Sequence, residues 1–545
     1  MNRMITILRQ PAWSIALVAA WLTVFANRTF FTEALQAHDG SGSVQPLFLL
    51  STGLLLWAVL NLVLQWLSWG PLTRPLLSLL LIVSALTAHF VDHFGVRIDA
   101  DMMRNVLETD VRETLDLLSL SLLGSLLLIA GPPLLWLWWR PLGTMAWWRR
   151  QRQRVLASLA SVLVILAVAA SSYADYASLF RNHRELRHVM VPQNALGGLR
   201  KALSHQAIGP VIVQPYGEDA HRVFTTGARR PRLLVMVLGE TARAESFSLN
   251  GNPRPVTPEL AKRAIINFPQ ISSCGTATAV SVPCLFSGMT RDDYDPDLAA
   301  RREGLLDILQ RAGLAVSWVE NSSGCKGVCD RVERVDIPAA IRTRWCTDDG
   351  CLDELLVDML ADQLRRKPAR DRVIVLHQQG SHGPAYGHRY PPAFRRFTPT
   401  CDTSELSQCS PEAVRNSYEN TIAYTDHVLA RLTDLLAGPA GAGYDSSFLY
   451  VSDHGESTGE HGLYLHGAPY VLAPSQQTHV PMVMWLSPGF RAAAPVASWC
   501  LSAVKDQTWS HDNVFHTVLG LAGVKTRAYM PSLDIGAQCR QPSVG

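Results

Sequence analysis

Five stretches in the first third of the chain contain no Asp, Glu, Lys or Arg: Gln10 to Asn27, Gly40 to Thr73, Pro75 to Val91, Leu117 to Trp139 and Val155 to Ala174. A bilayer core takes about 20 mostly apolar residues per helix, with about 17 as a lower limit, so each can supply a membrane span. The third is the shortest, and a re-entrant or interfacial helix is its alternative. Arg3 and Arg9 before the first stretch and Val18-Ala19-Ala20 within it resemble a secretory signal. The four later stretches favour a retained anchor. Arg140, Arg149, Arg150, Arg152 and Arg154 crowd the connection between spans four and five with no acidic residue among them, which marks it cytoplasmic. Five spans then put the amino terminus inside and everything after Ala174 outside.

The cysteines bear on that topology separately. All ten lie between Cys274 and Cys539, as an exported, oxidised half would require. Proximity pairs Cys274 with Cys284, Cys325 with Cys329, Cys346 with Cys351 and Cys401 with Cys409, leaving Cys500 and Cys539 for each other. Metal binding by these cysteines is the lesser reading, because zinc-ribbon spacing is absent. The formal net charge of +3 is too small to imply a nucleic-acid partner. The expected organisation is a transmembrane domain over 1–175, a basic amphipathic linker over 176–230 that suits a headgroup surface or solvent, and a third domain over 231–545.

Beyond Pro231, short apolar runs alternate with longer helical segments, which predicts an α/β domain with a largely parallel sheet. Strands are expected over Leu233 to Leu238, Leu314 to Val319, Arg372 to Leu376, Ser447 to Val451 and Val480 to Trp485, and helices over Gly304 to Ala312, Leu352 to Arg366 and Pro411 to Leu436. Ligands in such folds gather beyond the carboxyl ends of strands. Four strand ends carry polar groups: Glu240-Thr241, Glu320-Asn321, His377 to Pro384, and Ser452 to Glu456. Glu240, Asp453 and His454 offer hard oxygens and an imidazole, and a Thr hydroxyl could complete a four-coordinate site for Zn²⁺, with Mn²⁺ as the alternative. The Thr-rich stretch from Cys274 to Cys284 holds two candidates, Thr276 and Thr278, in what reads as a stapled loop. Such a hydroxyl needs a base or a metal to become a nucleophile. His382 and His466 suit phosphate or a second ion. His377, His388 and His461 read as structural.

With these residues laid out, the chain resembles the lipid A phosphoethanolamine transferases, which include the mobile colistin resistance enzymes. The matching stretches are Cys274 to Ser287, Gly380 to Pro384 and Ser452 to Gly467. The resemblance implies a bacterial inner-membrane enzyme in which five transmembrane helices precede a periplasmic alkaline phosphatase/sulfatase-like domain. It implies Thr278 as nucleophile, and Glu240, Thr278, Asp453 and His454 as ligands of one tightly bound Zn²⁺, with a further ion near His382 and His466. It assigns Lys326, His382 and His466 to the substrate phosphate, and Asn105, Thr109 and Glu113 to the lipid headgroup. Their spacing of four would put those last three on one helix face. Phosphatidylethanolamine is the implied donor, lipid A the acceptor, membrane lipids the surroundings and a monomer the working unit. No Cys or Ser stands in the Cys/Ser-x-Pro-x-Arg form that a sulfatase needs.

Overall fold

The structure is a computed structural model that describes residues 10–38, 45–68, 70–109, 111–139, 146–204, 212–223, 230–347, 349–366, 370–493 and 498–537. The chain forms two compact units, Met1–Met103 with Leu118–Lys201 and Arg104–Leu117 with Ala202–Gly545.

In the first unit the helices Pro46–Leu67, Gly70–Phe94, Leu120–Trp139 and Trp147–Ser172 are each long and apolar enough to cross a bilayer. Pro11–Phe25 and Arg28–Ala37, bent by 61°, supply a fifth candidate if counted together. The stretch that is shortest in sequence lies in a 25-residue helix, because Arg74 and Asp92 sit near its ends, where charge is tolerated. Polar side chains cross-link these helices. Asn61 Nδ2 donates to Ser161 Oγ at 2.9 Å and Gln65 Nε2 to the Ala12 carbonyl at 2.9 Å, as apolar surroundings demand of buried amides. The last helix continues to Asn182 with non-helical backbone at Ser172, so residue 175 falls inside a helix. Arg140 of the basic connection lies outside the described residues.

The second unit is built on an eight-stranded sheet. Its strands lie side by side in the order Trp509–Ser510, Ile266–Ser272, His479–Leu486, Asp445–Ser452, Arg232–Gly239, Arg372–His377, Ala315–Glu320 and Glu333–Arg334. The run from Asp445–Ser452 to Glu333–Arg334 is parallel. Arg232–Gly239, Arg372–His377 and Asp445–Ser452 are buried at every position, as expected of strands covered on both faces. His479–Leu486 runs antiparallel to both neighbours. One of those neighbours, Ile266–Ser272, was not among the expected strands. Its Pro269 disguises it, because Pro lacks the N–H that a ladder uses.

Two expectations fail for physical reasons. The stretch read as a stapled loop is mostly a helix, Thr278–Ser287, despite Pro283 inside it. Ser, Thr, Val and Pro make it a poor helix former, and the burial of eight of its ten residues overrides propensity. Asn105, Thr109 and Glu113 do not share one helix. Ala100–Glu108 stops before Thr109, whose Oγ1 donates to the Asn105 carbonyl at 2.8 Å, and a second helix spans Val111–Asp116. A hydroxyl that takes up a backbone carbonyl in this way competes with helix continuation. Four disulfides form as paired from sequence. Cys500 is also disulfide-bonded, and Cys539 lies outside the described residues.

Candidate metal and phosphoryl-transfer site

Three carboxyl ends of adjacent parallel strands meet the start of one helix. Glu240 follows Arg232–Gly239, His377 ends Arg372–His377, and Asp453-His454 follow Asp445–Ser452. Thr278 opens the helix Thr278–Ser287. All five side chains are buried. Thr278 Oγ1 lies 3.1 and 3.3 Å from the two Glu240 carboxylate oxygens and 3.3 Å from His454 Nε2. Thr276 points elsewhere, its Oγ1 donating to the Ala468 carbonyl at 2.6 Å. The two hydroxyls, alike by residue type and told apart only by resemblance, thus have different surroundings.

Glu240, Asp453 and His454 each offer a ligand atom, and the three atoms lie within 4.8 Å of one another. Asp453 Oδ1 accepts from the Thr241 and His454 backbone N–H groups at 3.2 and 2.7 Å, while its buried Oδ2 has no hydrogen-bond partner among the described residues. His454 Nδ1 donates to the Gly455 carbonyl at 2.9 Å, and Nε2 turns toward Thr278 and Glu240. Burial lowers its pKa, but the charges of Asp453 and Glu240 outweigh that and lift it to about 9, so a cation taking Nε2 would displace a proton. Burial, and next the Glu240 charge, push Asp453 up to about 6. Burial would also raise Glu240, but the neighbouring His377 and His454 imidazoles hold it well below the usual carboxylate range. Two buried carboxylates beside an imidazole nitrogen that faces both of them form a donor set that fits a divalent cation.

His377 lies between two acids, with Nδ1 2.9 Å from Glu320 Oε1 and Nε2 3.8 Å from Glu240 Oε2. Burial lowers its pKa, but the charges of Glu320 and Glu240 outweigh that and lift it to about 10. His377 is therefore structural in the sense of supporting Glu240.

His382 and His466 face each other with ring centroids 5.1 Å apart, and His466 is 4.5 Å from His454. Burial, and next His466, lower His382 to about 3, so it is neutral. His466 Nδ1 is 3.1 Å from Glu456 Oε2, and Glu456 Oε1 accepts from Tyr386 at 3.1 Å. The segment 104–117 also reaches this unit's residues. His382 Nε2 is 3.5 Å from Glu113 Oε1, and Arg389 donates to Asp116 at 2.5 Å and to the His382 carbonyl at 2.8 Å. Lys326 Nζ, with its side chain 7% exposed, donates to the Glu108 and Ser323 carbonyls. It lines a cavity of about 700 Å³ with Arg104, Glu108, Ala279 and Pro283. Glu113 and Lys326 thus reach the site region. Thr109 and Asn105 are seen bonded to each other. His388 lies 3.9 Å from Asp349 at the surface and His461 is exposed.

Gly380 follows the strand Arg372–His377 in a left-handed conformation, φ +56°, and a Cβ there would stand 2.5 Å from the Glu240 carbonyl. Gly380→Ala should cost about 2–4 kcal/mol from strain and overlap together. Denaturant unfolding checks this, and a loss below about 1 kcal/mol would show that the turn can yield.

Comparison with known proteins fits this geometry. A sulfatase family model matches residues 232–524, and one described as phosphoethanolamine transferase EptA/EptB matches residues 56–207. The phosphoethanolamine transferase EptA of Escherichia coli (strain K12) is 42% identical over 537 residues, covering 98% of this chain and 97% of the relative. The chain belongs to the EptA/Mcr phosphoethanolamine transferase family. Another member, the phosphatidylethanolamine transferase Mcr-1 of Escherichia coli, is 36% identical, covering 94% of this chain and 95% of its own. The solved integral membrane lipooligosaccharide phosphoethanolamine transferase A (EptA) from Neisseria meningitidis matches with a TM-score of 0.92 at 36% identity, over 97% of this chain and 99% of that one. This EptA/Mcr family member is accordingly a transferase and a multi-pass membrane protein, with a sulfatase-type α/β domain after its apolar helices.

Proposed function

We propose that this protein moves phosphoethanolamine from phosphatidylethanolamine to a phosphate of lipid A, with Thr278 carrying the group between them. The observation that supports this most is the position of Thr278 Oγ1, at a helix start and within 3.3 Å of both Glu240 and His454. Thr278 Oγ attacks phosphorus and the diacylglycerol oxygen leaves; an oxygen of the lipid A phosphate then attacks the same phosphorus and Thr278 is released. Glu240, Asp453 and His454, with Thr278, would hold a zinc ion, which supplies Lewis-acid neutralisation of phosphoryl charge and a lowered hydroxyl pKa. His382, neutral and half-buried, and His466, oriented by Glu456, would hold or move a proton at the entering or leaving oxygen, and a second ion near them belongs to the same reading. Lys326, which lines the same cavity as Ala279, would supply positive charge to the phosphoryl group. Asn105, Thr109 and Glu113 are assigned to the headgroup.

The domains 1–175, 176–230 and 231–545 then read as membrane anchor, interfacial linker and periplasmic catalytic domain. The anchor lies in the bacterial inner membrane with the amino terminus in the cytoplasm, and the protein works as a monomer. An added ethanolammonium offsets lipid A charge. Polymyxin and other cationic peptides should bind such a surface less well, by a margin that shrinks as salt rises.

Mass spectrometry of lipid A and total glycolipids from cells expressing the wild type or Thr278→Ala tests the reading. Added phosphoethanolamine on lipid A is expected only with the wild type. Unchanged lipid A with a modified core sugar or glucan would move the acceptor elsewhere. A second test follows from the segment 104–117, which carries Glu108, Glu113 and Asp116. The fragment from Pro231 onward should transfer at least about 100-fold more slowly than the full chain, since positioning contributes that much. Equal rates would remove any role for 104–117.

A further inference from the structure

His511 is buried, heads the helix Asp512–Ala522 and comes from a distant part of the chain. Its ring touches both halves of the reacting centre. The Cys274 backbone N–H donates to Nδ1 at 3.2 Å, and Nε2 lies 2.9 Å from the Ser452 carbonyl. A peptide N–H can only donate, so Nδ1 carries no proton and Nε2–H donates to Ser452. Burial, which lowers its pKa to about 4, agrees with a neutral ring. Ser281 Oγ lies 3.3 Å from Nδ1 and donates to the Asp453 carbonyl. The His511 backbone N–H also donates to the Ser272 carbonyl at 2.9 Å. Ser452 immediately precedes Asp453. Cys274 leads into the helix that Thr278 opens, and Ser281 lies one turn along that helix.

The geometry points to His511 as a positioning residue that sets the separation of Thr278 from Asp453 by tying the start of the nucleophile helix to the end of the strand Asp445–Ser452. It touches neither substrate nor a reacting atom. The inference rests on Thr278 and Asp453 forming the reacting centre. Displacing one reacting group by about 1 Å costs on the order of 100-fold in rate, and such a tie has its effect there.

The test uses the purified full chain in detergent with phosphatidylethanolamine as donor. His511→Leu should lower kcat by about 30-fold or more with KM for the donor changed less than about 3-fold, and His511→Gln, whose amide N–H can reach the Ser452 carbonyl, should recover to within about 5-fold of wild type. Zinc retained per chain after dialysis should fall in His511→Leu and recover in His511→Gln. His516→Leu is the control for a purely structural loss. His516 is buried on the same helix and accepts from the Met530 N–H at 3.1 Å, so its removal should lower Tm but leave kcat within about 2-fold. Equal kcat losses for His511→Leu and His511→Gln, or for His511→Leu and His516→Leu, overturn the proposal. If His511→Leu does not fold, His511→Asn replaces it. Its shorter amide can meet the Cys274 N–H but not Ser452, so it should be slower than His511→Gln, and equal rates overturn the proposal. An active Thr278→Ala would instead sink the reading of the centre. An inactive Thr278→Ala beside a fully active His511→Leu would sink only the role of His511.

Discussion

Thr278→Ala should lose transfer by at least about 1,000-fold, because no other step supplies the covalent carrier. Thr276→Ala, two residues away, should stay within about 10-fold of wild type. It gives up one hydrogen bond to the Ala468 carbonyl, worth about 1 kcal/mol of stability. Intact-protein mass measurement after incubation with phosphatidylethanolamine separates them directly. A phosphoethanolamine adduct should form on the wild type and Thr276→Ala but not on Thr278→Ala. An adduct that survives Thr278→Ala and vanishes in Thr276→Ala would reverse the assignment made from geometry.

Removing divalent metal with a chelator should abolish transfer and lower Tm by about 5 °C or more, since a ligand bound only by the native state stabilises it by mass action. The structure says where the loss arises. Without a cation, Glu240 and Asp453 remain as neighbouring buried carboxyl groups, and Asp453 Oδ2 has no hydrogen-bond partner among the described residues. Zinc should restore both activity and Tm, and manganese added in parallel tests the other metal that the donor set allows. Chelated protein with unchanged Tm and rate would show that these three residues hold no functional ion.

The membrane spans and the parallel strands were legible because each is written in consecutive residues. A charge-free run of twenty is visible by inspection, and so is an apolar run that ends in Gly-Glu or Ser-Asp-His. Four disulfide pairs were legible for the same reason, being close in sequence. What stayed hidden depends on contacts between distant residues. Thr276 and Thr278 differ only in what packs against them, the Ala468 carbonyl for one and Glu240 with His454 for the other. The helix Thr278–Ser287 was hidden because tertiary burial, not propensity, makes it. The partners of His377 stayed hidden because its two acids, Glu240 and Glu320, end other strands. His511 had no signal at all, since nothing near it in sequence belongs to the site.

The second compact unit is not one continuous piece of chain. Glu108, Glu113 and Asp116, which approach Lys326, His382 and Arg389, are encoded more than a hundred residues before the sheet begins. A soluble fragment cut after the membrane spans would present inhibitor screens with a cleft that lacks this side. Compounds ranked on it would be selected for space that the whole enzyme fills, and fragments that bridge Lys326 and Glu108 or His382 and Glu113 would never be seen. Screening on the intact, detergent-solubilised chain avoids that bias.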